Sequence, residues 1–189
     1  MKTQVKTEST ALYVLRLTLT LLLITAAVAA ALAGVNSVTA PIIADLNEAK
    51  TQEAIEQVLP GGGEEIDVPA VSVGTPIGKV YRGENGYAVE VLPSGFNGTV
   101  TMMVGVDFEG NVLGISIVNH SETAGLGAVA ASATSKGEQF RAQFIGTSGT
   151  VGTAKRGTGT LDALTGATIT SEAVCTGVNA ALACVANLG

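Results

Sequence analysis

Tryptophan is absent from this 189-residue chain, and aromatic residues make up only 4% of it. Its core must therefore be built from Val, Ile, Leu and Ala. Basic residues are also few, ten against sixteen acidic, for a net charge of −6. Nucleic-acid binding relies on Lys and Arg neutralising phosphates, so this balance argues against it. No cluster of basic and aromatic residues occurs. Histidine occurs once, at His120, and cysteine twice, at Cys175 and Cys184. Neither a CxxC nor an HExxH spacing exists, which argues against a metal site. The cysteines fall nine apart in a segment that reads as helix. That spacing puts them on opposite faces, about 13 Å apart along the axis and out of disulfide range. They read as small buried side chains.

What the chain does have is apolar residues, 47% of the total. That is enough for one globular domain and an accessory segment. The accessory segment is at the N-terminus. From Leu17 to Val35 the sequence is LTLTLLLITAAVAAALAGV, without a charge. As a helix this run is about 28 Å long, enough to cross a hydrocarbon core. Lys2, Lys6 and Arg16 precede it, against one acid, Glu8. The positive-inside rule then places residues 1–16 in the cytoplasm, 17–35 in the bilayer and the rest on the outer face of the cell membrane, periplasmic or extracellular. Ala31-Leu32-Ala33 before Gly34 has the form of a signal-peptide cleavage site. The apolar run is longer than a signal-peptide core, and a retained single-pass anchor is expected. The exported part carries seven basic and fifteen acidic residues, which disfavours anionic lipid headgroups.

Residues 36–77 read as a membrane-proximal stalk or packing helix followed by a loop. Pro41 suits a first helical turn, and Ile42, Ile43, Leu46, Ala49, Ile55 and Val58 recur at helical spacing. Pro60-Gly61-Gly62-Gly63 stops that helix. Residues 64–78 read as loop. Residues 78–189 form the expected domain. Strands are predicted at Lys79–Arg82 and Tyr87–Leu92 around Glu84-Asn85-Gly86, a strong hairpin signal. Two more, Thr99–Asp107 and Val112–Asn119, flank Phe108-Glu109-Gly110-Asn111. Val104, Val106, Ile115 and Ile117 alternate as half-buried strands do. A helix is expected over Gly137–Ile145, with Phe140 and Phe144 at i, i+4. A closing helix is expected over Ser171–Ala186, with Val174, Val178, Ala181, Leu182 and Val185 on one face. The fold class is α+β, an antiparallel sheet with flanking helices.

Chemistry concentrates in Asp162-Ala163-Leu164-Thr165-Gly166-Ala167-Thr168-Ile169-Thr170-Ser171. Gly166 and Ala167 leave room beside the Thr168 hydroxyl. A helix starting near Ser171 aims free N–H groups and a positive dipole end at the same spot, where anions bind well. Thr165, Thr170 and Ser171 add hydroxyl donors, and Lys155 or Arg156 could pair with a phosphate. The plain alternative is that these hydroxyls cap the helix.

This stretch resembles the flavinylation motif of the FMN-binding family of Rnf and Na⁺-translocating NADH:quinone oxidoreductase complexes. The resemblance spans roughly residues 78–189. It includes Gly95-Phe96-Asn97-Gly98, Met103-Val104-Gly105-Val106-Asp107 and Gly110-Asn111-Val112-Leu113-Gly114. It also includes His120-x-Glu122-Thr123-x-Gly125-Leu126-Gly127, which departs from the family's pattern in having Ala124 where Pro is frequent.

The resemblance implies an extracytoplasmic FMN-binding domain with covalent FMN in phosphoester linkage to Thr168. Thr165, Gly166, Ala167 and Thr170 would complete the attachment site. Asp162 would be read by a flavin transferase that moves FMN from FAD. Glu122, Thr123, Leu126 and Gly127 would lie against the isoalloxazine ring. Taken without the resemblance, Glu122 and Thr123 read as solvated turn residues and His120 as a strand-end residue.

The implied role is an electron carrier in a membrane-bound ferredoxin:NAD⁺ oxidoreductase that couples electron flow to Na⁺ or H⁺ translocation. Such a carrier is not catalytic alone, and its partners are the other members of the complex and the lipid bilayer. Nicotinamide binding is not expected, since no G-x-G-x-x-G follows a strand. Two alternatives stand beside this. One is the C subunit of the Na⁺-translocating NADH:quinone oxidoreductase. The other is a membrane-anchored structural module without cofactor.

Overall fold

A computed structural model describes residues 10–68, 74–154 and 159–188. The chain divides into two units, residues 1–46 and 47–189. Residues 10–46 are helical, the first part of helix α1, Thr10–Val58. Its apolar stretch has a mean hydropathy of 2.2 and none of it is buried within the protein. The threonines in this stretch satisfy their hydroxyls within the helix. Thr18 Oγ1 donates to Val14 O at 2.9 Å and Thr25 Oγ1 to Leu21 O at 2.9 Å. A polar side chain that bonds its own preceding turn asks nothing of a hydrocarbon surround. The expected anchor and stalk are thus one helix. Pro41 lies inside it rather than opening a second one. Lys2, Lys6 and Glu8 fall outside the described residues.

In the second unit the end of α1 packs on a five-stranded antiparallel meander, in order β1 (Glu64–Ile66), β2 (Ile77–Arg82), β3 (Gly86–Val91), β4 (Thr101–Asp107) and β5 (Val112–Asn119). The short strand β1 occupies part of the segment expected as loop. It pairs Glu64–Ile66 with Val80–Arg82. Three residues are too few for an alternation signal to register in sequence.

Ala54, Ile55, Val58 and Leu59 cover one sheet face, on Ala88 and Met103. Gly105 makes that approach possible, because a Cβ there would overlap the Val58 carbonyl. The opposite face carries the larger core. Val89, Val91, Met102, Val104, Val106 and Ile115 share one core cluster with the buried face of helix α3, Thr168–Ala186. Val104, Val106 and Ile115 therefore share a face as their alternation predicts, and Ile117 packs against the same core partly buried. Val174, Val178, Ala181, Leu182 and Val185 are all buried, as are Cys175 and Cys184, both free thiols. α3 is itself apolar enough to span a membrane, but 67% of that stretch is buried. It is the core helix of the domain.

The turns that matter for function lie at one end of this sheet. The β3–β4 connection closes with Gly95 N to Gly98 O at 2.8 Å and Val100 N to Pro93 O at 2.9 Å. After β5 the chain enters a 3₁₀ helix, Gly127–Ala131, absent from the sequence expectation, and then helix α2, Ser135–Ala142. α2 starts on Thr134, whose hydroxyl takes the Gly137 N–H at 3.4 Å. It stops before the expected Ile145, so Phe144 lies in the following turn. The Phe140 and Phe144 rings still meet edge to face at 5.5 Å.

Candidate functional site

The start of α3 lacks a side-chain cap. Its N-cap is Ala167, with φ −131° and ψ 45° and no side-chain oxygen to offer. The first bond into the helix runs from Ser171 N to Ala167 O at 2.9 Å. The N–H groups of Thr168, Ile169 and Thr170 therefore have no carbonyl within the helix. Four hydroxyls stand nearby, and none of them caps. Ser171 is fully buried; its Oγ donates to Ala167 O and accepts from Leu164 N, each at 2.9 Å. Thr170 Oγ1 donates to Glu122 Oε2. The Thr170 and Ser171 hydroxyls are thus each engaged with a partner inside the protein. Their partners come from segments far apart or from the helix's own turn, which sequence proximity does not reveal. Thr165 is exposed. Thr168 is half-buried at the first helical position, three residues earlier than the expected start. Its hydroxyl has no partner among the described residues.

A cavity of about 320 Å³ opens at this hydroxyl, lined by Phe96, Glu122, Thr123, Leu126, Gly127 and the run Gly166–Thr170. Ligand pockets begin at about this size. Phe96, Leu126 and Ile169 are 66%, 44% and 47% exposed, an apolar rim around the opening. Glu122 forms the floor. It is only 8% exposed, and its two oxygens take the Asn97 N–H at 2.9 Å and the Thr170 hydroxyl. Asn97 Nδ2 adds a bond to Ser121 O at 2.8 Å. One carboxylate thereby ties the β3–β4 turn, the post-β5 loop and α3 together. Gly127 is required here, because a Cβ would overlap both Glu122 Oε2 and Thr170 Oγ1. Gly166 has φ +78°, a conformation that L side chains rarely adopt, and a Cβ there would also press on Leu126.

The FMN-binding domain family matches residues 95–183, a segment that opens at the Gly95 turn and includes Thr168. The G subunit of the Na⁺-translocating ferredoxin:NAD⁺ oxidoreductase complex of Acetobacterium woodii is 35% identical, over 100% of this chain and 99% of that protein. The G subunit of the ion-translocating oxidoreductase complex of Yersinia pestis is 33% identical over 87% of each chain. The G subunit of the proton-translocating ferredoxin:NAD⁺ oxidoreductase complex of Clostridium ljungdahlii is 40% identical over 51% of each.

The chain belongs to this family of G subunits.

In this member of the family the cavity brings together Glu122, Thr123, Leu126 and Gly127 with Gly166, Ala167, Thr168 and Thr170, across more than forty residues of sequence. Asp162 and Thr165 stand apart from them. They face a neighbouring groove of about 520 Å³ with Lys136, Gln139, Phe140 and Gln143 of the α2 region. His120 lines a third groove, and its Nδ1 accepts the Glu122 N–H at 3.3 Å. Lys155 and Arg156 lie outside the described residues. Sequence reasoning missed Phe96, Asn97 and Ile169 as site residues. Phe96 and Asn97 sit in a turn whose contact with the Thr168 segment is purely tertiary. Ile169 had a usable signal in its place directly after Thr168 in the motif; its exposure is known only from the structure.

Proposed function

We propose that this chain is the FMN-carrying electron-transfer component of an Rnf-type membrane complex, with the flavin held by a phosphoester on Thr168. One observation supports the attachment point most: a helix start without a side-chain cap beside a hydroxyl that has no partner among the described residues. The free N–H groups of Thr168, Ile169 and Thr170 suit a phosphate, and the positive end of the α3 dipole favours its charge. In the attachment step Thr168 Oγ1 bonds to the FMN phosphorus of FAD. The pyrophosphate P–O bond breaks, AMP leaves, and the hydroxyl proton passes to water. A flavin transferase supplies that chemistry, and Asp162 is part of what it reads.

FMN, when bound, supplies one- and two-electron redox chemistry. The chain's own residues hold and enclose it. Phe96, Leu126 and Ile169 give an apolar seat for a planar ring and exclude water from it. Thr123 and Gly127 line the seat. Glu122 positions it by holding the Asn97 turn and Thr170 in place. Covalent attachment fits a carrier on the outer face, where free FMN would be lost by dilution. The sidedness itself rests on Lys2, Lys6 and Arg16 before the apolar run. The relatives are G subunits by name, which favours an Rnf-type complex over the C subunit of a quinone reductase.

The test is a denaturing gel under ultraviolet light, with the chain and Thr168→Ala each co-expressed with a flavin transferase. A fluorescent wild-type band that is absent from the variant is the expected result. A dark wild-type band of bare polypeptide mass would overturn the flavoprotein assignment and return a structural module.

A further inference from the structure

Gln143 is the C-cap of helix α2 and lies outside the cavity described above and outside the attachment motif. Its side-chain amide grips both main-chain groups of a single residue. Asp162 N donates to Gln143 Oε1 at 2.8 Å, and Gln143 Nε2 donates to Asp162 O at 3.3 Å. The neighbouring backbone is held by other means. Leu161 bridges to Thr153, with Ala154 N to Leu161 O at 2.9 Å. Leu164 N is held by Ser171 Oγ at 2.9 Å. Between those two anchors, Asp162 is tied down by Gln143. Asp162 is exposed at the mouth of the groove that Lys136, Gln139 and Gln143 also line.

We infer that Gln143 is a positioning residue for flavin attachment: it fixes the Asp162 backbone so that the carboxylate is presented to the transferase at a set distance from Thr168. The inference rests on the proposed attachment at Thr168. The physical basis is entropy. A recognition residue that must be ordered at the moment of docking weakens binding, and one already ordered does not. Gln143 touches neither Thr168 nor the cavity that receives the ring. Its loss therefore weakens the encounter with the transferase and leaves the transfer step itself intact.

The experiment follows flavin transfer from FAD by purified transferase to the full-length apo-protein in detergent, at varied apo-protein concentration. The chains compared are wild type, Gln143→Leu, Asp162→Ala and the double variant. Gln143→Leu is expected to lower kcat/KM about tenfold, the scale of a lost positioned hydrogen bond. The loss falls in KM with kcat preserved, and prolonged incubation still loads Thr168 fully. The double variant is expected to be no worse than Asp162→Ala alone, because both changes remove one interaction. Gln143→Glu, which keeps the acceptor for the Asp162 N–H, gives a smaller loss and serves if Gln143→Leu does not fold. A wild-type rate in Gln143→Leu, or a double variant whose losses simply add, would overturn the inference while leaving attachment at Thr168 standing. A wild-type chain that accepts no flavin would overturn the attachment assignment and the inference with it.

Discussion

At the scale of one residue, the role proposed for Thr168 is separable from stability. Its hydroxyl caps nothing, so Thr168→Ala should abolish flavin attachment while moving Tm by no more than about 2 °C in a thermal melt of the apo-protein. Gly127 behaves oppositely. A Cβ there pushes Glu122 from Thr170, and Gly127→Ala should cost about 1–3 kcal/mol in a denaturant titration. Cys175 carries the clearest titration. Burial, helped by the nearby Glu172 carboxylate, raises its thiol from 9.0 to about 11. Between those values the unfolded chain gives up the proton first. Stability contributed by this thiol is therefore complete below about pH 9, falls as pH rises through that window, and levels off above about pH 11. Cys175→Ala should flatten the alkaline decline in a series of melts. The residue types at the site were legible in the motif, but their division of labour was not. Thr165, Thr168, Thr170 and Ser171 look equivalent as a string of hydroxyls. Only the partners, Glu122 for Thr170 and Leu164 and Ala167 for Ser171, distinguish them.

Among elements, β2 to β5 were legible because alternation and the turn residues agree. Asp107 illustrates the agreement. Its Oδ1 takes the Glu109 and Asn111 N–H groups at 2.9 and 2.8 Å, and its Oδ2 takes Asn111 Nδ2 at 2.9 Å. The side-chain bond from Asn111, followed by the backbone bond from the same residue, holds the carboxyl below its usual range. The turn's contribution is present above the unfolded pKa and is lost as pH falls through the folded one. α1 and α3 were harder. A helical period says that a helix packs but not against which face. The choice for α1 rests on Gly105, which admits the Val58 backbone to the sheet. Gly105→Ala should cost about 1–3 kcal/mol in the detergent-solubilised chain, read by chemical denaturation. A change below about 0.5 kcal/mol would mean that the helix end is free to shift away from β4.

The whole molecule joins an apolar helix to an α+β domain of a known family, and both were legible from composition and motif. The proposed orientation rests on charge alone. A phosphatase reporter joined after Gly189, active only once exported, should be active in cells. Activity should fall when Lys2, Lys6 and Arg16 are replaced by Glu, because the flanking positive charge then no longer holds the N-terminus inside. A reporter that is inactive on the wild-type chain would put the domain in the cytoplasm and reverse the proposed sidedness.

The sequence by itself determined the apolar N-terminal run, the antiparallel hairpins and the motif that holds the candidate hydroxyls. These depend on local quantities: the length of an apolar run, a period of two, and a short motif. The cavity, the Glu122 bridge and the grip of Gln143 on Asp162 were decided only by the tertiary structure. Each joins residues nineteen or more apart in the chain, and two of them pass through main-chain N–H groups that every residue except proline carries. A bond made by the backbone leaves no mark in the identity of the residue that makes it.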